Sequence, residues 1–189
     1  MGKSEYLKDP NNYDKGDKKL AFERYAEDLF LDENALDGKK ILDVGSNIPL
    51  FRDYLEGKYP ETKVINIDQE FNTSLDAQAL AEHLPFADNS FDLIVAHSSL
   101  TGWGIYENVE QILQEFIRVL RPNGEIRIGP IMIDDDTDLG EEQRKTITKN
   151  KDIVNKLKNL HVISSVEYLR IPRVIGKKNI QIYCLVIKK

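Results

Sequence analysis

The chain has 189 residues, 31% charged and 41% apolar, and a formal net charge of −6. That length suits one domain with a core of its own, and the acidic balance argues against a nucleic-acid partner, which needs a basic face for phosphate. No apolar run reaches the length of a membrane span, and Met1-Gly2-Lys3-Ser4-Glu5-Tyr6 carries neither the apolar centre of a secretion signal nor a convincing lipidation site. The single cysteine, Cys184, rules out an internal disulfide and a cysteine-rich zinc site, so a cytoplasmic protein is the expectation.

Residues 1–17 are polar and contain the turn signal Asp9-Pro10-Asn11-Asn12, which predicts an irregular arm. From Lys18 to Leu31, Phe22, Tyr25, Ala26 and Leu29 recur at helical spacing. Gly38 precedes a buried strand, Ile41-Leu42-Asp43-Val44, that ends in Gly45-Ser46-Asn47. Pro49 to Leu55 reads as a helix with Leu50, Phe51, Tyr54 and Leu55 facing the sheet, because proline suits a first turn. Strand two, Lys63 to Asp68, ends in a carboxylate. The stretch from Gln69 to His83 yields no clear element. It is also too short for a full strand–helix–strand passage, so a reduced or absent helix is expected there.

Leu84 to Ser90 reads as a turn and Phe91 to Ala96 as a strand. Asn108 is positioned to cap the next helix, with Gln111 at the capping-box position and an apolar stripe of Val109, Ile112, Leu113, Phe116, Ile117 and Leu120. Arg121-Pro122-Asn123-Gly124 predicts its stop, and Glu125 to Ile131 the following strand. A lysine-rich helix is expected over roughly 141–160, its charge that of a solvated face. Val162 to Ile171 and Asn179 to Ile187 close the chain as a hairpin around Gly176-Lys177-Lys178, with Cys184 a buried small hydrophobe. The alternation predicts an α/β three-layer Rossmann-like sandwich, mostly parallel, with an antiparallel C-terminal hairpin strand.

A strand ending in an acid and a glycine turn, then a second acid-terminated strand about twenty residues on, is the layout of a nucleotide-type ligand site. A dinucleotide fingerprint would carry glycines at 47 and 50, where this chain has Asn47 and Leu50. That disfavours a nicotinamide dehydrogenase, whose pyrophosphate needs close backbone approach.

Four segments, in order, resemble the class I S-adenosylmethionine-dependent methyltransferases, in their small-molecule, methyltransferase type 11-like branch. They are Ile41 to Asn47; Ile67-Asp68; Leu84-Pro85-Phe86-Ala87-Asp88-Asn89-Ser90-Phe91-Asp92-Leu93-Ile94-Val95; and Phe116-Ile117-Arg118-Val119-Leu120-Arg121-Pro122-Asn123-Gly124-Glu125-Ile126. The resemblance spans about residues 38–131, and the first motif departs from the family pattern at Asn47 and Pro49, where glycines are usual. Asparagine tolerates left-handed backbone, so the turn is expected to survive in modified form.

The resemblance implies S-adenosylmethionine as cofactor and a small-molecule acceptor; the residues themselves lead to the expectation of no membrane span and no metal site. Residues 1–37 become an N-terminal arm and helix, a candidate lid through Tyr6, Tyr13 and Phe22, and 38–189 the methyltransferase-like domain. Gly45, Ser46 and Asn47 approach the cofactor's amino-acid end, and Asp43 orients the turn or meets the ammonium. Asp68 accepts the ribose hydroxyls, and Gln69 lines the adenine pocket. The acidic-and-small adenine contact falls on Asp76-Ala77 or on Ala81-Glu82, two registers the sequence leaves open.

The acceptor side is sought just after strand four. His97 is either a general base or a hydrogen-bonded residue that shapes the pocket. Trp103 and Tyr106 either wall the acceptor or pack in the core. Asp134-Asp135-Asp136 with Asp138 reads as a solvated acidic loop before it reads as a cation site. A non-catalytic relative with a modified cofactor site is the second reading.

Overall fold

The computed structural model describes residues 17–70, 73–100, 108–131, 159–175 and 178–189, with scattered positions between 141 and 155. In chain order the elements are α1 (Lys18–Leu29), a 3-10 turn (Glu33–Leu36), β1 (Lys40–Val44), α2 (Leu50–Lys58), β2 (Lys63–Asp68), β3 (Ala77–Gln78), β4 (Phe91–His97), α3 (Val109–Val119), β5 (Leu120–Ile131), β6 (Ser165–Ile175) and β7 (Lys178–Lys188). They build a seven-stranded sheet in the order β3-β2-β1-β4-β5-β7-β6. The first five strands are parallel neighbours, and β7 runs antiparallel between β5 and β6. The expected fold class is the one found, and Cys184 is buried in β7.

Each face of the sheet carries its own apolar layer. Ile112, Leu113, Phe116 and Ile117 of α3 cover one face, over Leu42, Ile94, Ile126 and Ile187. Phe22, Tyr25 and Leu29 of α1, with Phe51 and Leu55 of α2, cover the other, over Ile41, Val64, Leu93 and Val186. Phe22 stacks on Tyr54 at 4.6 Å and on Phe51 at 6.0 Å. It is therefore core, not lid. Tyr6 and Tyr13 lie outside the described residues.

Several boundaries differ from expectation for physical reasons. The helix α1 stops at Leu29 because Phe30 is left-handed, at φ 53°. Its start is fixed by Asp17, whose carboxylate accepts from the N–H groups of Lys19 and Leu20 at 2.9 and 3.1 Å. Pro49 stands just before α2 rather than inside its first turn. Asn108 makes no side-chain cap to α3: its amide donates instead to Glu82 Oε1 at 3.4 Å. Arg121 to Gly124 do not interrupt the chain before a new strand. They form a bulge within β5, between the pairs Phe91–Leu120 and Leu93–Glu125. Between β2 and β4 the described residues contain only the two-residue strand β3 and no helix, as the short passage required.

Candidate functional site

The strand order reverses at β1, whose neighbours are β2 on one side and β4 on the other. In open α/β sheets ligands bind beyond the carboxyl ends of the strands at such a point. A cleft of about 300 Å³ lies there, and its wall includes Val44, Gly45, Asn47, Asp68, Gln69, Glu70, Ala81, Glu82 and Ser99.

The turn after β1 is stitched to β2. Gly45 and Ser46 donate their N–H groups to Ile67 O at 2.8 and 3.3 Å. Gly45 adopts φ 73°, and a Cβ there would sit 2.2 Å from Ser99 Cβ. Glycine is required on both counts. Asn47 is left-handed at φ 51°, so the asparagine does carry the turn conformation. Ser98, at φ 56°, turns the chain after β4 so that Ser99 crosses the turn and donates its hydroxyl to Val44 O at 2.6 Å.

Asp68 anchors the next segment. Its Oδ2 accepts from Asn47 N–H at 3.2 Å and its Oδ1 from Glu70 N–H at 3.0 Å. The strand β3 pairs with Ile67 and Asp68, which brings the residues after it to the opposite wall. Ala81 and Glu82 therefore line the cleft, and Gln111 Nε2 ties down Glu82 O at 3.3 Å. Asp76 is elsewhere. Its Oδ2 accepts from Arg52 Nη1 at 3.0 Å and from Asn66 N–H at 2.8 Å, so it is consumed in bracing α2 against β2. Of the two registers, only Ala81-Glu82 reaches the cleft.

Asp43 in β1 and His97 at the end of β4 are buried and are not among the residues that wall the cleft. Asp43 is fully buried. It accepts from Tyr25 Oη at 3.2 and 3.3 Å and from Asn66 Nδ2 at 3.0 Å. Burial, reinforced by the negative charge of Asp68, pushes its carboxyl up to about 8 against the pull of the Tyr25 and Asn66 hydrogen bonds. His97 Nε2 lies 2.9 Å from Asp28 Oδ2, with both side chains almost wholly buried. Tyr25 stacks on the His97 ring at 4.5 Å. A general base must reach the acceptor, so this geometry supports the other reading of His97, a hydrogen-bonded histidine that shapes the pocket. Ser46 lies in the turn with its hydroxyl buried and, among the described residues, unpartnered. Trp103, Tyr106 and the acidic run Asp134 to Asp138 fall outside the described residues.

Sequence reasoning missed Glu70, Leu75, Ala79, Leu100 and Ile112, which complete the wall. Leu75 and Ala79 flank β3, whose two residues carry no periodicity to read. Ile112 belonged to a legible helix stripe, and only the packing reveals that this stripe ends at the cleft.

A Rossmann-like sheet with β7 inserted antiparallel thus carries, at its switch point, a cleft walled by the β1 turn, Asp68 and Glu82. Residues 42–128 match the family described as Methyltransferase domain. Among curated proteins it is similar to Methyltransferase GfsG of Streptomyces halstedii, 32% identical over 144 residues covering 68% of this chain and 50% of that protein. An uncharacterized protein of Methanocaldococcus jannaschii is 32% identical over 103 residues, 54% of this chain and 46% of that protein. The chain thus spans half or less of the length of these relatives. Among solved structures, a SAM dependent methyltransferase from Archaeoglobus fulgidus shares the fold at TM-score 0.59 and 13% identity, over 91% of this chain and 94% of its own. One from Aquifex aeolicus does so at TM-score 0.55 and 16% identity, over 100% and 98%.

No helix among the described residues is long and apolar enough to cross a membrane.

Proposed function

We propose that this chain transfers the methyl group of S-adenosylmethionine to a small-molecule acceptor by in-line displacement. One observation carries the reading: Gly45, Asn47, Asp68, Gln69, Ala81 and Glu82, from three separate segments, line a single cleft. The bound cofactor supplies an activated methyl group on a sulfonium sulfur. The chain's own residues bind and orient. Asp68 takes the ribose hydroxyls, since Asn47 and Glu70 leave each of its oxygens a further acceptor site. Gln69, Ala81 and Glu82 face the adenine. Asp43 and His97 act from outside the cleft wall, holding the ends of β1 and β4. Trp103 and Tyr106, just after β4, are assigned to the acceptor side from their sequence position. Methyl transfer to a good nucleophile needs positioning and exclusion of water more than a base.

Calorimetric titration with S-adenosylmethionine and its demethylated product tests this, with binding below millimolar expected. No binding of either compound would sink the proposal. Asp68→Ala should weaken the cofactor at least about tenfold by removing paired hydrogen bonds to a charged group. Pro49 and the internally bonded turn favour a second reading, a non-catalytic binding module. Intact cofactor binding without turnover on amine, thiol, hydroxyl or carboxylate acceptors would select it.

A further inference from the structure

The turn after β1 has spent its hydrogen-bond donors on the protein itself. Gly45 and Ser46 N–H go to Ile67 O, Asn47 N–H to Asp68, Ile48 N–H to Ser46 O and Leu50 N–H to Ile48 O. Pro49 has no N–H to offer. The buried Ser46 hydroxyl, though unpartnered among the described residues, is not part of the cleft wall. Leu50 and Phe51, the first residues of α2, do not line the cleft either. An anion arriving at this turn therefore meets no backbone cradle of the kind that a glycine-rich turn opens.

The charge of the wall points the same way. Among the described lining residues stand three carboxylates, Asp68, Glu70 and Glu82, and no lysine, arginine or histidine. Arg52 of α2 is committed to Asp76 at 3.0 Å. Among the described lining residues the side-chain donors are the neutral groups of Asn47, Gln69 and Ser99, none of which brings a positive charge. Such a field attracts cations and opposes a carboxylate.

Building on the proposed function, we propose that this site grips its cofactor by the adenosyl half and the cationic centres, its described residues offering the amino-acid carboxylate neither a positive charge nor a backbone cradle. Adenosyl sulfonium compounds that lack the carboxylate are therefore ligands of equal or greater affinity. S-adenosylmethionine and its decarboxylated analogue differ by that one group, which makes them the probes of choice. Both are titrated calorimetrically into the full chain at about 0.1 M salt, where charge effects persist at short range. The expected result is binding of the analogue at least as tight as that of S-adenosylmethionine, to within about threefold. Weakening beyond that on decarboxylation overturns the inference and leaves the proposed function standing. Failure of both to bind overturns both.

Discussion

The burial of Asp43 builds a pH dependence into the fold. Its neighbours are a phenol, an amide and the Asp68 carboxylate, and among the described residues no cation holds it ionised. With the folded carboxyl raised from 3.8 to about 8, the native state binds a proton over that window that the unfolded chain has released. The contribution of this group is thus full below about pH 4 and is lost as pH rises toward 8. Asp43→Asn keeps the shape and removes the titration. Urea unfolding at pH 5 and pH 8 should show a smaller loss of stability in the variant than in the wild type, and equal losses would refute the assignment. Gly45 is the second residue where one atom matters. Gly45→Ala combines a left-handed alanine with a clash against Ser99, a cost of roughly 2–4 kcal/mol. Ser99→Gly in that background removes the clashing Cβ and should recover the packing share but not the backbone share. A denaturant double-mutant cycle measures the split.

At the scale of elements, the two longest motifs behind the family resemblance are halves of one clamp. Arg118 of α3 donates to Leu84 O and Phe86 O at 3.0 and 2.8 Å and pairs with Asp88 and Glu115. Glu115 in turn accepts from Leu84 N–H at 2.9 Å, and the Arg118 guanidinium holds its carboxyl below the ordinary range. Arg121 reaches Asn89 O and Asp92, while Asp92 also takes Lys40 N–H at 2.8 Å and so pins β4 to β1. The pattern is legible in the sequence, yet it speaks of loop anchoring, not of chemistry. Arg118→Met should cost about 1.5–3 kcal/mol, since it strands carbonyls and a carboxylate that no longer have a donor. An unchanged urea midpoint would contradict the clamp. What the sequence concealed at this scale was tertiary. The strand β3 is too short to show a period, and the Asn108 amide preferred Glu82 to its own helix. The bulge at Arg121 to Gly124 looked like a stop because its turn residues are the same.

Over the whole molecule, the strand order explains why Asp68 and the turn were readable and the deeper layer was not. A strand-end acid and a glycine turn are local signals. The arrangement of Tyr25 on Asp43 and of Asp28 on His97 joins residues far apart in sequence, and nothing local announces it. That layer also decides what α1 is. Leu29 is fully buried among residues of the sheet, and Arg127 of β5 donates to Leu29 O at 2.8 Å and to Phe30 O, closing the end of the helix. A detachable lid would open and close without disturbing the sheet, whereas a helix that supplies half of one core layer must unfold with it. Leu29→Ala separates the two. As part of the core it should lower the stability of the single global transition by about 2–5 kcal/mol, the range for a buried leucine that leaves a cavity. If α1 were a lid, the same substitution would leave the global urea midpoint in place and raise only the hydrogen-exchange rates of residues 18–29. Following both readouts on one sample decides whether the N-terminal helix guards the cleft or builds the core.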